Sequence, residues 1–289
     1  MTAGSDLEAP TPKISTQAVA AQVNYAQCAP GETIDYRLDD WSGFAVRPAT
    51  VSIHDAGTFE RPASLDREGF MVTRLESAVT DFRSPTQIDK LWRPQVHRLL
   101  QTLTGASRVL SWAVNSRFSE RSTEAGKTVV SGPARRVHSD FSPADFVGQI
   151  RHPQVVDLLS ATGNPNPRSW KCFNIWQPLC ASPHDTPLAL CDATTVAPED
   201  LIPARGVIRG ANQPDFSVNL CLLRHNARHR WCYFSGLTLG DALIFCGLDP
   251  TAQAPHRVVP HTAFDNPTCP TNVPPRSSIE IRALAVFDT

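Results

Sequence analysis

His138 and Asp140 are the residues of this 289-residue sequence whose types and spacing most directly suggest chemistry. They lie in RRVHSDFSP, residues 135 to 143, which reads as a strand that ends where a helix starts. Residues i and i+2 of a strand point to the same face, so an imidazole nitrogen and a carboxylate oxygen lie side by side. With a ligand from a distant strand, they would form the two-histidine, one-carboxylate triad of non-haem Fe(II) sites. The alternative is a polar pair that bonds a turn.

The C-terminal part of the sequence offers a third ligand and an anion-binding pair. His261 lies in VVPHTAFDNP, which reads as a strand, and His256 is the alternative ligand. Arg276 and Ser278 follow in PPRSSIEIRALAVF. Their guanidinium fork and hydroxyl suit the remote carboxylate of a dicarboxylate cosubstrate such as 2-oxoglutarate, whose keto-acid end would bind the iron. Arg282, on the same face, is the alternative anchor.

One strand between these motifs is expected to line the same pocket. In CFNIWQPL, Asn174 and Trp176 alternate with Phe173 and Ile175, so the first two share a face. We assign Asn174 and Trp176 to the cofactor-binding residues. A tryptophan that only fills the core is the alternative for Trp176.

The overall composition narrows the class of protein. The chain is 41% hydrophobic, enough for one folded core, and its length suits one large domain. A net charge of −1 gives no field that would collect phosphates or anionic lipid, so we expect no nucleic acid or membrane partner. The sequence has no signal peptide pattern and no apolar run of about 18 residues, so we expect a cytoplasmic protein. The eight cysteines form no Cys-x-x-Cys pair, and most are interpreted as buried thiols.

The order of elements predicts a mainly β fold with flanking helices. We expect a flexible N-terminal tail over residues 1 to 22 and a single domain over 23 to 289. Helices are predicted over about 84 to 104, where Pro94 should kink or restart the helix, and over about 142 to 160. Short strands after Gly163 are typical of a barrel or a jelly roll.

Taken together, these motifs resemble the Fe(II)/2-oxoglutarate-dependent oxygenases of the gibberellin-desaturase-like and AsaB/CmcJ-like group of fungal secondary metabolism. The resemblance is carried by ARRVHSDFSP, FNIWQPL with PLALCDA, VPHTAFDNP and PPRSSIEIRAL. It implies a double-stranded β-helix (jelly-roll, cupin-like) core. It further implies iron bound by His138, Asp140 and His261, and 2-oxoglutarate anchored by Arg276 with Ser278.

The expected reaction is the hydroxylation, desaturation or oxidative cyclisation of a small secondary metabolite, with succinate and CO2 as co-products. Fe(II), 2-oxoglutarate and O2 would be required, and ascorbate would stimulate the enzyme. The small-molecule substrate is the expected partner, and a homodimer is compatible with this reading. Two other functions stay open at this point: a non-catalytic small-molecule-binding barrel, and a metal-dependent cupin-type isomerase or epimerase that does not use 2-oxoglutarate.

Overall fold

A computed structural model describes residues 17–29, 31–38, 41–118, 132–143, 153–161, 163, 167–208, 216–252 and 258–288. The strands are β1 Ala18–Gln27, β2 Ile34–Arg37, β3 Ala45–Asp55, β4 Phe70–Arg74, β5 Arg108–Arg117, β6 His138–Ser139, β7 Ser169–Pro178, β8 Leu188–Cys191, β9 Leu201–Ile208, β10 Phe216–Leu223, β11 Trp231–Tyr233, β12 Asp241–Leu248, β13 His261–Ala263 and β14 Ser278–Phe287. The helices are α1 Pro85–Gln87, a π-helical turn Ile88–Trp92, α2 Arg93–Thr104 and α3 Pro153–Ala161, with short 3-10 turns at Ala56–Thr58, Ala193–Thr195 and Pro198–Asp200.

The described strands form two sheets. One has nine strands in the order β1-β3-β11-β8-β13-β6-β10-β9-β2, and the other has five in the order β4-β12-β7-β14-β5. A core cluster joins the two sheets, since Trp176 and Phe245 of the smaller sheet pack with Leu190 and Cys232 of the larger one. The prediction of a mainly β fold with flanking helices is confirmed.

The opposite face of the smaller sheet is covered by α2 and the π-helical turn that precedes it. Trp92, Val96 and Leu100 pack there against strand residues that include Ile175 and Ile281. Because side chains alternate along a strand, the neighbours of these two isoleucines, at 174, 176, 280 and 282, point between the two sheets. The helix therefore fixes which residues of β7 and β14 face the interior.

The predicted helix over 84 to 104 is present, and an irregular turn lies next to Pro94, the residue expected to kink or restart it. Ser84 caps its start, since its Oγ accepts from the backbone N–H of Gln87 at 3.4 Å. The π-helical turn comes directly before α2, in which Pro94 lies near the first position. A proline has no N–H to give to the carbonyl four residues earlier, so the wider turn accommodates it. Gly105, with φ of 70°, ends α2 in the left-handed conformation.

The predicted N-terminal tail is shorter than expected, and part of the second predicted helix lies outside the described residues. β1 begins at Ala18, so residues 18 to 22 of the predicted tail belong to a strand that pairs with β3. The physical reason is alternation: Val19, Ala21 and Val23 are buried and the residues between them are exposed. Residues 1–16, and residues 144–152 of the second predicted helix, lie outside the described residues; the described part of that helix is α3.

Gly247 leaves room for two interior side chains, those of Phe141 and Asn174. The pairing of β12 with β7 shifts register between Cys246 and Leu248, which marks a bulge at Gly247. A Cβ at this position would overlap two ring atoms of buried Phe141 and would lie 2.9 Å from Oδ1 of Asn174. Only glycine leaves both side chains in place.

We therefore expect Gly247→Ala to lower the free energy of unfolding by about 1 to 3 kcal/mol, because the added methyl group overpacks the interior. Gly236→Ala is the matched control, since a Cβ at Gly236 would meet nothing within 4 Å. The control should change stability by less than about 0.5 kcal/mol. Denaturant unfolding of both variants checks this, and equal midpoints for the two would contradict the packing argument.

Candidate metal centre

His138 and His261 converge because their strands are direct neighbours. In the antiparallel pairing of β13 with β6, His261 lies opposite His138. Residues that are directly opposite in such a pair point to the same face with their Cβ atoms about 5 Å apart. The two imidazole ring centroids are 4.4 Å apart, and both residues are buried.

Backbone carbonyls fix the orientation of both rings. Nδ1 of His138 lies 2.7 Å from the carbonyl oxygen of Arg136, and Nδ1 of His261 lies 3.1 Å from that of Val259. A carbonyl can only accept, so each Nδ1 carries the proton and each Nε2 presents a lone pair. This is the arrangement in which histidines bind metal ions through Nε2.

Asp140 completes the group directly after β6. Its Oδ1 lies 4.0 Å from Nε2 of His138, and its Oδ2 lies 3.7 Å from Nε2 of His261. Ligand atoms of the three residues all lie within 4.8 Å of one another. Two bonds of about 2.2 Å to one ion span up to about 4.4 Å, so small shifts would let a single ion reach all three.

Two side chains of the smaller sheet hold this carboxylate. Arg282 of β14 donates to Oδ1 of Asp140, and Asn174 of β7 donates to Oδ2 at 2.5 Å. Asn174 and Arg282 are direct partners in the β7–β14 ladder, which explains why they reach one carboxylate together. The amide of Asn174 also donates to Oε1 of Glu280 at 3.0 Å.

The electrostatics of the group favour metal binding at neutral pH. Burial and, to a smaller extent, the neighbouring His261 lower the pKa of His138 to about 3, so the imidazole is neutral at neutral pH. Burial alone would raise the pKa of Asp140, but the charge of Arg282, helped by the hydrogen bond from Asn174, holds it well below its usual range. Two imidazoles and one carboxylate form the donor set of a non-haem Fe(II) site.

Arg276 is a buried cation beside Trp176. It is 3% exposed, its NH1 donates to the carbonyl of Thr186 at 2.6 Å, and its Nε has no hydrogen-bond partner among the described residues. Burial lowers its pKa only to about 10, so it remains charged at neutral pH. Its guanidinium carbon lies 5.5 Å from the ring centroid of Trp176, which gives a cation–π contact. A buried guanidinium with an unused donor is well suited to bind an anion.

The structure separates the predicted site residues into two groups. His138, Asp140 and His261 come together, with Asn174 bound to Asp140, whereas Arg276 and Trp176 lie next to each other. Ser278 is buried at the start of β14, two residues after Arg276. The alternative ligand His256 lies outside the described residues. The alternative anchor Arg282 is bonded to Asp140.

The sequence reasoning missed two aromatic residues near the group and the function of Arg282. The ring of Trp41 lies 4.8 Å from that of His138, and Tyr36 stacks on Trp41 at 5.3 Å. No motif marks them, since they come from the N-terminal part of the chain. The sequence places Arg282 on the same face as Arg276 and Ser278, but the partner of Arg282 depends on how the two sheets meet, which no local pattern reveals.

Comparisons with known proteins agree with this geometry. A family model described as "Oxidoreductase/YMDC permease-like domain" matches residues 18–287, so the chain belongs to this family. Oxidoreductase AN1597 of Emericella nidulans is 30% identical over 212 residues, 68% of this chain and 70% of that protein. The Fe(II)/2-oxoglutarate-dependent dioxygenase nvfI of Aspergillus novofumigatus is 27% identical over 274 residues, 88% of this chain and 90% of that protein.

A solved structure is also similar over nearly the whole chain. The iron and alpha-ketoglutarate-dependent endoperoxidase NvfI superposes with a TM-score of 0.74 at 26% identity, covering 95% of this chain and 100% of that chain. The predicted jelly-roll core is thereby confirmed. Within the described residues, no helix is long and apolar enough to cross a membrane.

The depressed pKa of His138 predicts a stability that depends on pH in the metal-free protein. The folded-state pKa is about 3 and that of the unfolded chain is about 6.5. Between these values only the unfolded chain binds a proton at this residue, so the free energy of unfolding falls as the pH falls. One such proton contributes about 1.4 kcal/mol per pH unit.

The test compares urea unfolding of the metal-free wild type and His138→Gln at several pH values between about 6 and 4. In the variant, the slope of the free energy of unfolding against pH should be smaller by about 1.4 kcal/mol per pH unit, even if its absolute stability is lower. Histidines away from this group, such as His97 and His229, titrate alike in both proteins and cancel in the comparison. Identical slopes would contradict the assignment of a buried neutral imidazole to His138.

Proposed function

We propose that this protein is a non-haem Fe(II)/2-oxoglutarate-dependent dioxygenase that oxidises a small secondary metabolite. The observation that carries the proposal is the convergence of His138, Asp140 and His261, with both Nε2 lone pairs and one carboxylate facing a common point. The similarity to the dioxygenase and endoperoxidase named above supports the same reaction class.

His138, Asp140 and His261 would hold the iron. When bound, Fe(II) with 2-oxoglutarate and O2 supplies the oxidising power to break a C–H bond, and 2-oxoglutarate is converted to succinate and CO2. The protein contributes fixed ligands: two backbone carbonyls hold the imidazole tautomers, and Arg282 with Asn174 holds the carboxylate ionised. Both oxygens of Asp140 are oriented before any metal arrives, which limits reorganisation on binding.

Arg276 would anchor the remote carboxylate of 2-oxoglutarate. Its burial, its unpartnered Nε and the lack of a carboxylate among the described hydrogen-bond partners of its guanidinium leave a cation that an anionic ligand would neutralise. Trp176 packs against the guanidinium and would hold it in place, and Ser278 would offer a hydroxyl beside it. Arg282 is a weaker candidate for this function because its charge is paired with Asp140.

Within this reaction class, we assign the chain to the gibberellin-desaturase-like and AsaB/CmcJ-like group, on the motifs that contain His138, His261 and Arg276. We expect hydroxylation, desaturation or oxidative cyclisation. We also expect a cytoplasmic enzyme that binds a small-molecule substrate, and a homodimer is compatible with this assignment. Ascorbate is expected to stimulate the reaction. A metal-dependent isomerase would share the triad but would have no use for the buried Arg276 cation, and a non-catalytic barrel would need neither.

Arg276→Met tests the anchor. Hydrogen bonds to a charged group contribute about 1.5 to 3 kcal/mol each, so losing two should weaken 2-oxoglutarate binding about 100-fold or more. The measurement is an anaerobic titration of 2-oxoglutarate into the Fe(II) protein, followed by the weak visible charge-transfer band of the complex. Arg135→Met is the control, because Arg135 is 41% exposed in a surface pair with Asp265.

The control should bind 2-oxoglutarate as the wild type does. Succinate formation with a substrate extract should fall in Arg276→Met and not in Arg135→Met. A wild-type protein that binds Fe(II) but gives no charge-transfer band at saturating 2-oxoglutarate would contradict the proposed function. If Arg276→Met gives the band at the same 2-oxoglutarate concentrations as the wild type, Arg276 is not the anchor.

A further inference from the structure

Tyr36 is a buried phenol whose hydroxyl lacks a partner. It is 3% exposed, and its hydroxyl oxygen makes no hydrogen bond with any described residue. By contrast, the hydroxyl of Tyr25 accepts from the indole of Trp231 at 2.8 Å and contacts Nδ1 of His229 at 3.1 Å. Leaving a buried hydroxyl unpaired is unfavourable unless a ligand or water satisfies it.

The strand register places Tyr36 on the face that carries the metal group. His138 lies opposite Leu222 of β10, and Leu222 lies opposite Ile202 of β9. Two residues further on in β9 is Ala204, and two beyond that is Gly206, which pairs with Tyr36 of β2. Direct partners and i+2 neighbours share a face, so Tyr36 and His138 point to the same side of the larger sheet.

Gly206 makes room for the phenol to lie across β9 towards the metal group. A Cβ on Gly206 would lie 2.8 Å from the hydroxyl oxygen of Tyr36 and 2.9 Å from the ring carbon that bears it. The tyrosine therefore reaches over its neighbouring strand in the direction of β10 and β6. Burial, together with the charge of Asp140, raises the pKa of Tyr36 well above its usual range, so the hydroxyl remains a proton donor.

Trp41 connects this phenol with the metal group. Its ring is stacked on Tyr36 with centroids 5.3 Å apart and lies 4.8 Å from the ring of His138. Trp41 is partly exposed, and its φ of 57° is a conformation that a bulky L-residue rarely adopts. Phe44 adds a third ring, 5.5 Å from Tyr36. These three residues, Tyr36, Trp41 and Phe44, form an aromatic wall beside His138.

We propose that this aromatic wall binds the substrate, with Tyr36 as a specificity-determining hydrogen-bond donor and Trp41 as a packing surface. The proposal rests on the proposed function, because it places the substrate next to the metal ligand His138. The ligand chemistry that fits is a largely apolar ring system with a neutral oxygen acceptor, such as a ketone. The ring system would pack on Trp41, and its oxygen would satisfy the hydroxyl of Tyr36.

The test uses a matched pair of probes, 1-tetralone and tetralin, which share a bicyclic skeleton and differ in one carbonyl oxygen. Their dissociation constants are measured by ligand-observed NMR on the anaerobic protein with Fe(II) and 2-oxoglutarate. The quantity of interest is the preference for 1-tetralone over tetralin in the wild type, divided by the same preference in Tyr36→Phe. One lost hydrogen bond predicts a value of roughly 3 to 10.

Further variants separate a direct contact from a general structural effect. Tyr233→Phe removes a phenol hydroxyl elsewhere and should leave the preference unchanged. Gly206→Ala keeps the hydroxyl but displaces it, so it should reduce the preference as Tyr36→Phe does. Trp41→Ala should weaken both probes by a similar factor.

A preference that is equal in the wild type and Tyr36→Phe would overturn the inference, as would an equal loss in Tyr233→Phe. Trp41→Ala binding both probes like the wild type would remove Trp41 from the wall. The charge-transfer band reports separately on the proposed function. If the band forms but the preference for 1-tetralone is the same in the wild type and Tyr36→Phe, the inference about the aromatic wall fails and the iron site stands. If the band is absent, the proposed function fails, and the ratio of preferences still decides whether Tyr36 bonds the ligand.

Discussion

The pairing of Asp140 with Arg282 and Asn174 is the interaction on which the geometry of the site depends. Asp140 follows a strand of the larger sheet, and its two partners come from adjacent strands of the smaller one. A buried carboxylate that loses its cationic partner costs about 3 to 5 kcal/mol, so the two sheets are held in one relative position at this point. The same bonds keep Asp140 ionised and aim it at the imidazoles.

The remaining parts of the site follow from this constraint. His138 and His261 are direct partners in one ladder, and their orientation is set by carbonyls two residues before each of them. Gly247 leaves room for Phe141 and Asn174, so the amide can reach Asp140. The cation of Arg276 lies on Trp176 with an unused donor. The interior thus offers one group suited to a metal ion and another suited to an anion.

Much of this site could be predicted from sequence because strand alternation is a local property. It places Asn174, Trp176 and Ser278 on interior faces without knowledge of which strands pair. The same rule applied to VAAQVNY would have found β1, whose buried residues alternate, but the small alanines concealed the pattern and the tail was drawn too long. Alternation cannot tell which cation meets which carboxylate, so Arg282 was weighed as an anchor when it holds Asp140. Tyr36 and Trp41 reach His138 only through the order of strands in the sheet, which is a long-range property.

The most direct test of this account is a crystal structure of the protein prepared anaerobically with Fe(II), with anomalous data collected at the iron edge. The account predicts one strong anomalous peak within about 2.3 Å of Nε2 of His138, Nε2 of His261 and one oxygen of Asp140, with Arg282 still bonded to that carboxylate. An iron peak elsewhere, or an imidazole of His261 turned away from a peak held by His138 and Asp140, would contradict it.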